Sequence, residues 1–165
     1  RFVVKQIADD YRDDVSQSTP ALLVFRMMLA CASSSCPLLR TASNLLIAIW
    51  DISVAFMHAT IDELIFLHPP KDLVKPGFCW KLKSAMNGTR RASRQWADKV
   101  TEVLANSDFT ASKVFAMAFF SKDWGIFVAV WGDDAAAVGG DEGIRKLDAL
   151  LEASFDRSLE ALRGT

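Results

Sequence analysis

Three aspartates carry the chemistry that this sequence offers. Asp133 and Asp134 stand side by side between two apolar runs, in "VAVWGDDAAAVGG". Apolar runs of that length read as β-strands, and the interior of a sheet is a poor place for charge. A third aspartate, Asp51, closes the run "LLIAIWD". Two strands that each end in carboxylate can converge at one sheet edge, where the three groups repel unless cations bridge them. Mg²⁺ takes one or two carboxylates together with substrate phosphates and retained waters. Two such ions about 3.5–4 Å apart stabilise both the attacking and the leaving oxygen of a phosphoryl transfer. Metal-dependent nucleotide chemistry is therefore one reading of these acids. The competing reading is an acidic hairpin tip facing water, because Gly and Asp also suit turns.

The elements that must position these residues can be read from periodicity. "GIFVAVW" and "AAAVGG" predict the arms of a β-hairpin, with Gly132, Asp133 and Asp134 in its turn. "LLIAIWDI" predicts a buried strand, and "SVAFMHA" a helical turn directly after it. "LIFLHPP" and "FCWKLK" predict two short strands around a loop rich in Pro and Gly. From Pro20, the residues Leu22, Leu23, Arg26, Met27, Leu29 and Ala30 keep helical spacing, and proline suits a first helical turn. "RASRQWADKVTEVLANS" places Trp96, Val100, Val103 and Leu104 on one face of an amphipathic helix. "VFAMAFF" predicts a strand joined to "GIFVAVW" through "SKDW", and "DEGIRKLDALLEASF" a helix with acids in its first turn. "RFVVK" alternates weakly, as a strand end would, and "DDYRDDVSQSTP" is loop-like. Hairpins outnumber regular βαβ alternation, so the fold class is α+β, in a single domain.

Composition narrows the class. The chain has 165 residues, 51% of them hydrophobic, and its mean hydropathy of +0.17 argues against disorder. No run reaches the roughly 18 apolar residues of a membrane span, and "ALLVFRMMLACA" is interrupted by Arg26. The given sequence does not open on a basic-then-apolar stretch, so no secretory signal is expected. A chain that opens on Arg1 and stops at "RGT" is expected to be a piece of something longer. Cys31, Cys36 and Cys79 lack a Cys-x-x-Cys pattern, which fits reduced, idle thiols. The net charge of −1 hides an uneven distribution, with eight basic residues against two acidic ones from Lys71 to Lys99. From Asp133 onward the balance reverses, with eight acids against four bases.

Read together, "WDISVAFMHATIDELIFLHPP", "CWKLKSAMNGTRRASRQWADKVTEVLANSDFTASKVFAMAFF" and "IFVAVWGDDAAAVGG" resemble the reverse transcriptase of copia-type retrotransposons. That family's pattern begins with Asp-Val-x-x-Ala-Phe-Leu-x-Gly, an acidic pair and "hydrophobe-Tyr-Met-x-x-Pro". It continues with Leu-x-Lys-x-Leu-Tyr-Gly-Leu-Lys-Gln-x-x-Arg-x-Trp, then Gly-Phe-x-x-Ser and finally Tyr-Val-Asp-Asp. Order and spacing match over most of the stretch from Asp51 to Asp156, and Arg1–Lys5 and "FRMMLACA" resemble the fingers segment more loosely.

The resemblance implies a polymerase palm with partial fingers: residues 1–45 as partial fingers, 46–165 mainly palm with interleaved fingers elements, and no thumb. It implies an RNA-directed DNA polymerase transferring deoxynucleotides to a primer 3′-hydroxyl with two Mg²⁺ or Mn²⁺ ions. Asp51, the backbone carbonyl of Ile52, Asp133 and Asp134 would hold the metals, the three aspartates being the catalytic residues. Phe56 would be an aromatic steric gate excluding a 2′-hydroxyl, and with Arg1 and Arg91 would face the incoming nucleotide. Gly88, Arg94, Trp131 and Gly132 would line template and primer. The implied partners are an RNA or DNA template with its primer, deoxynucleoside triphosphates, and the thumb, RNase H and integrase of a Pol polyprotein. The expected location is an intracellular, cytoplasmic virus-like particle, with no membrane partner. Trp131-Gly132 stands for the family's Tyr-Val, Asn87-Gly88-Thr89-Arg90-Arg91 for Tyr-Gly-Leu-Lys-Gln, Ala92-Ser93 for Ala-Pro and Ala59 for Gly. Those departures leave two alternatives: a degenerate, inactive remnant that keeps the fold and weak nucleic-acid binding, and an interaction domain whose acids are mere turn residues. The latter requires Asp51 to lie far from Asp133.

Overall fold

The structure, a computed structural model, describes residue 4, residues 20–33 and residues 45–163, of which 157–163 are described as backbone alone. Arg1, Lys5, Cys36 and the stretch "DDYRDDVSQST" lie outside these residues. The chain forms two compact units, one of residues 1–17 and 56–99, the other of residues 18–55 and 100–165.

The second unit is built on one antiparallel sheet. Its strands are β1 (Leu45–Ile52), β4 (Thr110–Ala111), β5 (Ala118–Ser121), β6 (Ile126–Trp131), β7 (Asp134–Gly140) and β8 (Arg157–Arg163), in the order β4-β5-β6-β7-β1-β8. Two helices of this unit, α1 (Leu22–Ser33) and α3 (Asp141–Ser154), pack against it. The alternation of side chains along the strands sorts the core into two layers. Leu45, Ile47 and Ile49 of β1, Ala136 and Val138 of β7 and Ala129 of β6 join Val24 and Met28 of α1. The intervening residues Ala48, Trp50 and Ile52 of β1, with Ala135 and Ala137 of β7, are buried as well, and Ile144, Leu147 and Leu151 are the buried residues of α3. Burial on both faces explains why β1 reads as an unbroken apolar run rather than an alternating one. The small residues of "DAAAVGG" keep β7 thin where it contacts both helices.

One bond anchors α3 to β1: the buried Trp50 indole N–H donates to Asp148 Oδ1 at 2.8 Å. A close approach anchors it to the β5–β6 turn. A Cβ placed on Gly143 would lie 2.4 Å from the Trp124 carbonyl oxygen. Gly143→Ala would gain about 1 kcal/mol of helix propensity. It would lose more by forcing that backbone apart, since overpacking costs about 1–3 kcal/mol and the obstacle here is not a flexible side chain. A lowered melting temperature is expected; a raised one would mean the approach is looser than this.

The first unit holds a two-stranded ribbon, β2 (Phe66–Leu67) with β3 (Trp80–Lys81), flanked by a bridge between Thr60 and Ser84. Short 3₁₀ turns cover Ala55–His58 and Lys71–Leu73. Phe56 packs on a small core of Ala59, Ala85 and Ala92, and the Val4 N–H donates to the Asn87 carbonyl at 2.9 Å. Helix α2 (Ala92–Ala105) starts in this unit, with Trp96 fully buried.

Several expectations hold to within a residue or two: α1, β1, the turn after Asp51, α2, β6 and α3. The α+β class is observed. Others shift for physical reasons. The strand expected over "VFAMAFF" begins only at Ala118, because the Ser112 hydroxyl accepts from the N–H of Val114 and Phe115 and curls the chain first. Strand β8 was not foreseen: "RSLEALR" is rich in helix formers, and pairing with β1 overrides that preference. Among the described residues, no helix is long and apolar enough to cross a membrane. Cys79 is an exposed free thiol.

Candidate active site

The sheet brings the acids to one edge. Strand β1 runs toward Asp51 and β7 runs away from Asp134, and in the antiparallel register these two residues are direct partners. Partners across an antiparallel pair project from the same face with Cβ atoms about 4.5–5.5 Å apart. Asp134 is also the partner of Trp131 on β6, so only Gly132 and Asp133 form the hairpin loop. Asp134 is thus the first residue of a strand rather than a turn residue. Gly132 has a φ of +60°, as a two-residue hairpin turn with glycine in its first central position requires. The Asp133 carbonyl accepts the Ile52 N–H at 2.8 Å, which ties the loop to the end of β1. Asp51, Ile52, Trp131, Gly132, Asp133 and Asp134 are therefore assembled in one place. The interaction-domain alternative required Asp51 to lie far from Asp133, and it fails on this register.

The electrostatics follow from the crowding. Burial, then the neighbouring charges of Asp133 and Asp51, push the Asp134 carboxyl above the usual 3.8, while a hydrogen bond from the Trp131 side chain pulls it down. A carboxyl whose folded value exceeds its unfolded one binds protons more tightly in the fold. Stability therefore falls as pH rises from the unfolded value through the raised folded one. Asp134→Asn is expected to raise the melting temperature at pH 7 and to lose that advantage near pH 3. Equal gains at both pH values would show that the neighbouring charges are not the cause.

The donor set suits a hard divalent cation. All three groups are oxygen donors, Asp51 and Asp133 are exposed, and Asp134 is half-buried. Among the described residues, no three His, Cys, Asp or Glu side chains are close enough to chelate an ion by themselves. That is compatible with Mg²⁺, which is held by one or two carboxylates with substrate phosphates rather than by an all-protein cage. Just beyond Ile52 the chain turns through Val54, a β-branched residue at a φ of 49°. Such a backbone costs on the order of 1–3 kcal/mol and persists only where the surroundings dictate it.

The remaining candidate residues belong to the other unit, apart from Arg1, which lies outside the described residues. Phe56 is half-buried in the 3₁₀ turn. Gly88 follows Asn87 in the turn from Met86 to Thr89, whose N–H donates back to the Met86 carbonyl at 3.0 Å. Arg91 is bonded to Asp62 and lies 3.7 Å from Glu63, and Gln95 also donates to Asp62. Arg94 pairs with Asp98 one helical turn on, at 3.1 Å, an exposed pair of the kind that contributes about 0.3–0.5 kcal/mol. The acids that engage Arg91 stand far from it in sequence, and no local spacing points to the pairing. The bond from Trp131 to Asp134 also lacks a one-dimensional signal, except that the two residues flank a two-residue loop.

Comparison with known proteins adds to this geometry. A family model described as reverse transcriptase (RNA-dependent DNA polymerase) matches residues 1–161. The Retrovirus-related Pol polyprotein from transposon TNT 1-94 of Nicotiana tabacum is 28% identical over 113 residues, covering 64% of this chain and 8% of that protein. The putative transposon Ty5-1 protein YCL074W of Saccharomyces cerevisiae is 28% identical over 89 residues, covering 51% of this chain and 29% of that protein. The chain thus spans under a third of either relative. No solved structure matches.

Proposed function

Because the chain belongs to the reverse transcriptase (RNA-dependent DNA polymerase) family, we propose that its six-stranded sheet is the palm of such an enzyme and its edge aspartates the nucleotidyl-transfer site. The observation that carries this reading is the direct pairing of Asp51 with Asp134, with Asp133 in the adjoining loop. Reverse transcriptases use divalent metals, which supply charge neutralisation for the transferring phosphoryl group and its leaving oxygen. Asp51, Asp133 and Asp134, with the Ile52 carbonyl, are the residues that would hold Mg²⁺ or Mn²⁺, one or two carboxylates to an ion beside the substrate phosphates. The primer 3′-oxygen bonds to the α-phosphorus as the bond to the β-phosphate oxygen breaks. Pyrophosphate leaves, and the hydroxyl proton is given up to water. The chain's own contribution is positioning and charge, with no covalent intermediate.

The basic stretch from Lys71 to Lys99 supports contact with the phosphates of a template and primer. Within it, Arg91 and Arg94 already carry acidic partners, so nucleic acid would compete with Asp62 and Asp98 for them. Phe56 acts as the gate against a 2′-hydroxyl, and Gly88, Trp131 and Gly132 line template and primer. The Pol polyprotein relationship supports further polyprotein segments as partners. One specific observation favours a second reading, an inactive remnant: Trp131-Gly132 replaces the family's Tyr-Val beside the acids. Primer extension on an RNA template, with Mg²⁺ and then Mn²⁺, separates the two, the chain being supplied alone and joined to a reverse transcriptase thumb. Extension establishes the polymerase; a folded, template-binding protein that never extends is the remnant.

A further inference from the structure

Trp131 occupies a defined place beside the acids. It ends β6 opposite Asp134, and Asp134 is opposite Asp51 on β1. Cross-strand partners share a face, so Trp131, Asp134 and Asp51 form a row across three strands. The indole does not swing freely at the end of this row. It meets Phe25 of α1 edge to face, with ring centroids 4.3 Å apart and planes at 88°, and its N–H donates to Asp134. An indole N–H can only donate, so it offers no lone pair to a metal ion.

We propose that Trp131 is a positioning residue, whose ring is pinned by Phe25 and whose N–H holds the Asp134 carboxylate in one orientation beside Asp51. The role rests on the metal reading of the aspartates given above. A carboxylate crowded by two others would otherwise rotate away from them, and a fixed donor opposes that rotation. Outer donors of this kind orient ligands, and their loss lowers metal affinity by about 10–100-fold. The tryptophan that stands for the family's tyrosine then keeps a donor beside the acids, and α1 becomes part of the site's support.

The test uses Mn²⁺ as probe, its binding to the folded chain followed by electron paramagnetic resonance with and without a deoxynucleoside triphosphate, whose phosphates share the ion with the carboxylates. Trp131 is replaced by its benzothiophene isostere, which keeps the ring against Phe25 and removes only the N–H, and separately by Phe. The expected result is an Mn²⁺ affinity lower by about 10–100-fold in both, with an unchanged melting temperature for the isostere. The Trp131 indole N–H resonance is also expected to move in Asp134→Ala, which removes the acceptor. Should Trp131→Phe fail to fold, the isostere still decides. If the unaltered chain binds Mn²⁺, Asp51→Asn weakens it, and the isostere binds as tightly as tryptophan, the positioning role is overturned while the metal reading stands. If the unaltered chain binds no Mn²⁺ even with a deoxynucleoside triphosphate present, the metal reading fails and this role falls with it.

Discussion

Asp133→Asn is expected to lower Mg²⁺-dependent primer extension by about 10²–10³-fold, the usual loss when one preorganised charge-stabilising group is removed. The chain should remain folded. Asp133 is exposed, and what the loop uses from it is its backbone carbonyl, which accepts the Ile52 N–H and survives in asparagine. Asp51→Asn should behave alike, because that side chain is also exposed at the end of its strand. Chelation of the divalent ion should reproduce both losses. The control is a circular dichroism spectrum and a thermal melt that match those of the unaltered chain. Extension that survives substitution at both positions would remove these aspartates from the reaction.

The second large effect concerns stability. Trp50→Ala is expected to destabilise the second unit by about 3–5 kcal/mol, the range for truncating a buried aromatic. Trp50 is fully buried, and its indole N–H bridges β1 to Asp148 on α3 at 2.8 Å. Against a total stability of about 5–15 kcal/mol, that loss approaches unfolding. Trp50→Phe keeps an aromatic ring in the site and gives up the hydrogen bond to the Asp148 carboxylate, at about 1.5–3 kcal/mol. Urea unfolding of both variants measures the difference. A loss below about 1 kcal/mol for Trp50→Ala would mean that the space is refilled by neighbouring side chains.

Much of the fold was legible because its signals are local. The run ending in Asp51 is long, apolar and buried on both faces, and the two arms of the β6–β7 hairpin flank a glycine and an aspartate. The convergence of Asp51 with Asp133 and Asp134 could be anticipated because charge at two strand ends calls for a shared reason. Register could not be read in the same way. That Asp134 is a strand residue opposite Asp51, and not part of the loop, depends on which residues close the hairpin. The β8 pairing and the engagement of Arg91 by Asp62 are long-range events with no period or motif to announce them. The same holds for α1: its spacing gives a helix, whereas the contact of Phe25 with Trp131 depends on how that helix docks.

The register of the acidic edge also sets an order of assembly. Strands β6 and β7 are neighbours in the chain and can zip together within a local hairpin, which forms in about 1–10 μs. Strand β1 must return from far upstream to lie beside β7, and pairings of high sequence separation are the slow ones. Asp133 and Asp134 therefore share a turn early, whereas Asp51 meets them only when the sheet closes. A divalent ion that needs Asp51 would bind the finished fold and not the nascent hairpin, and by mass action would hold the sheet closed.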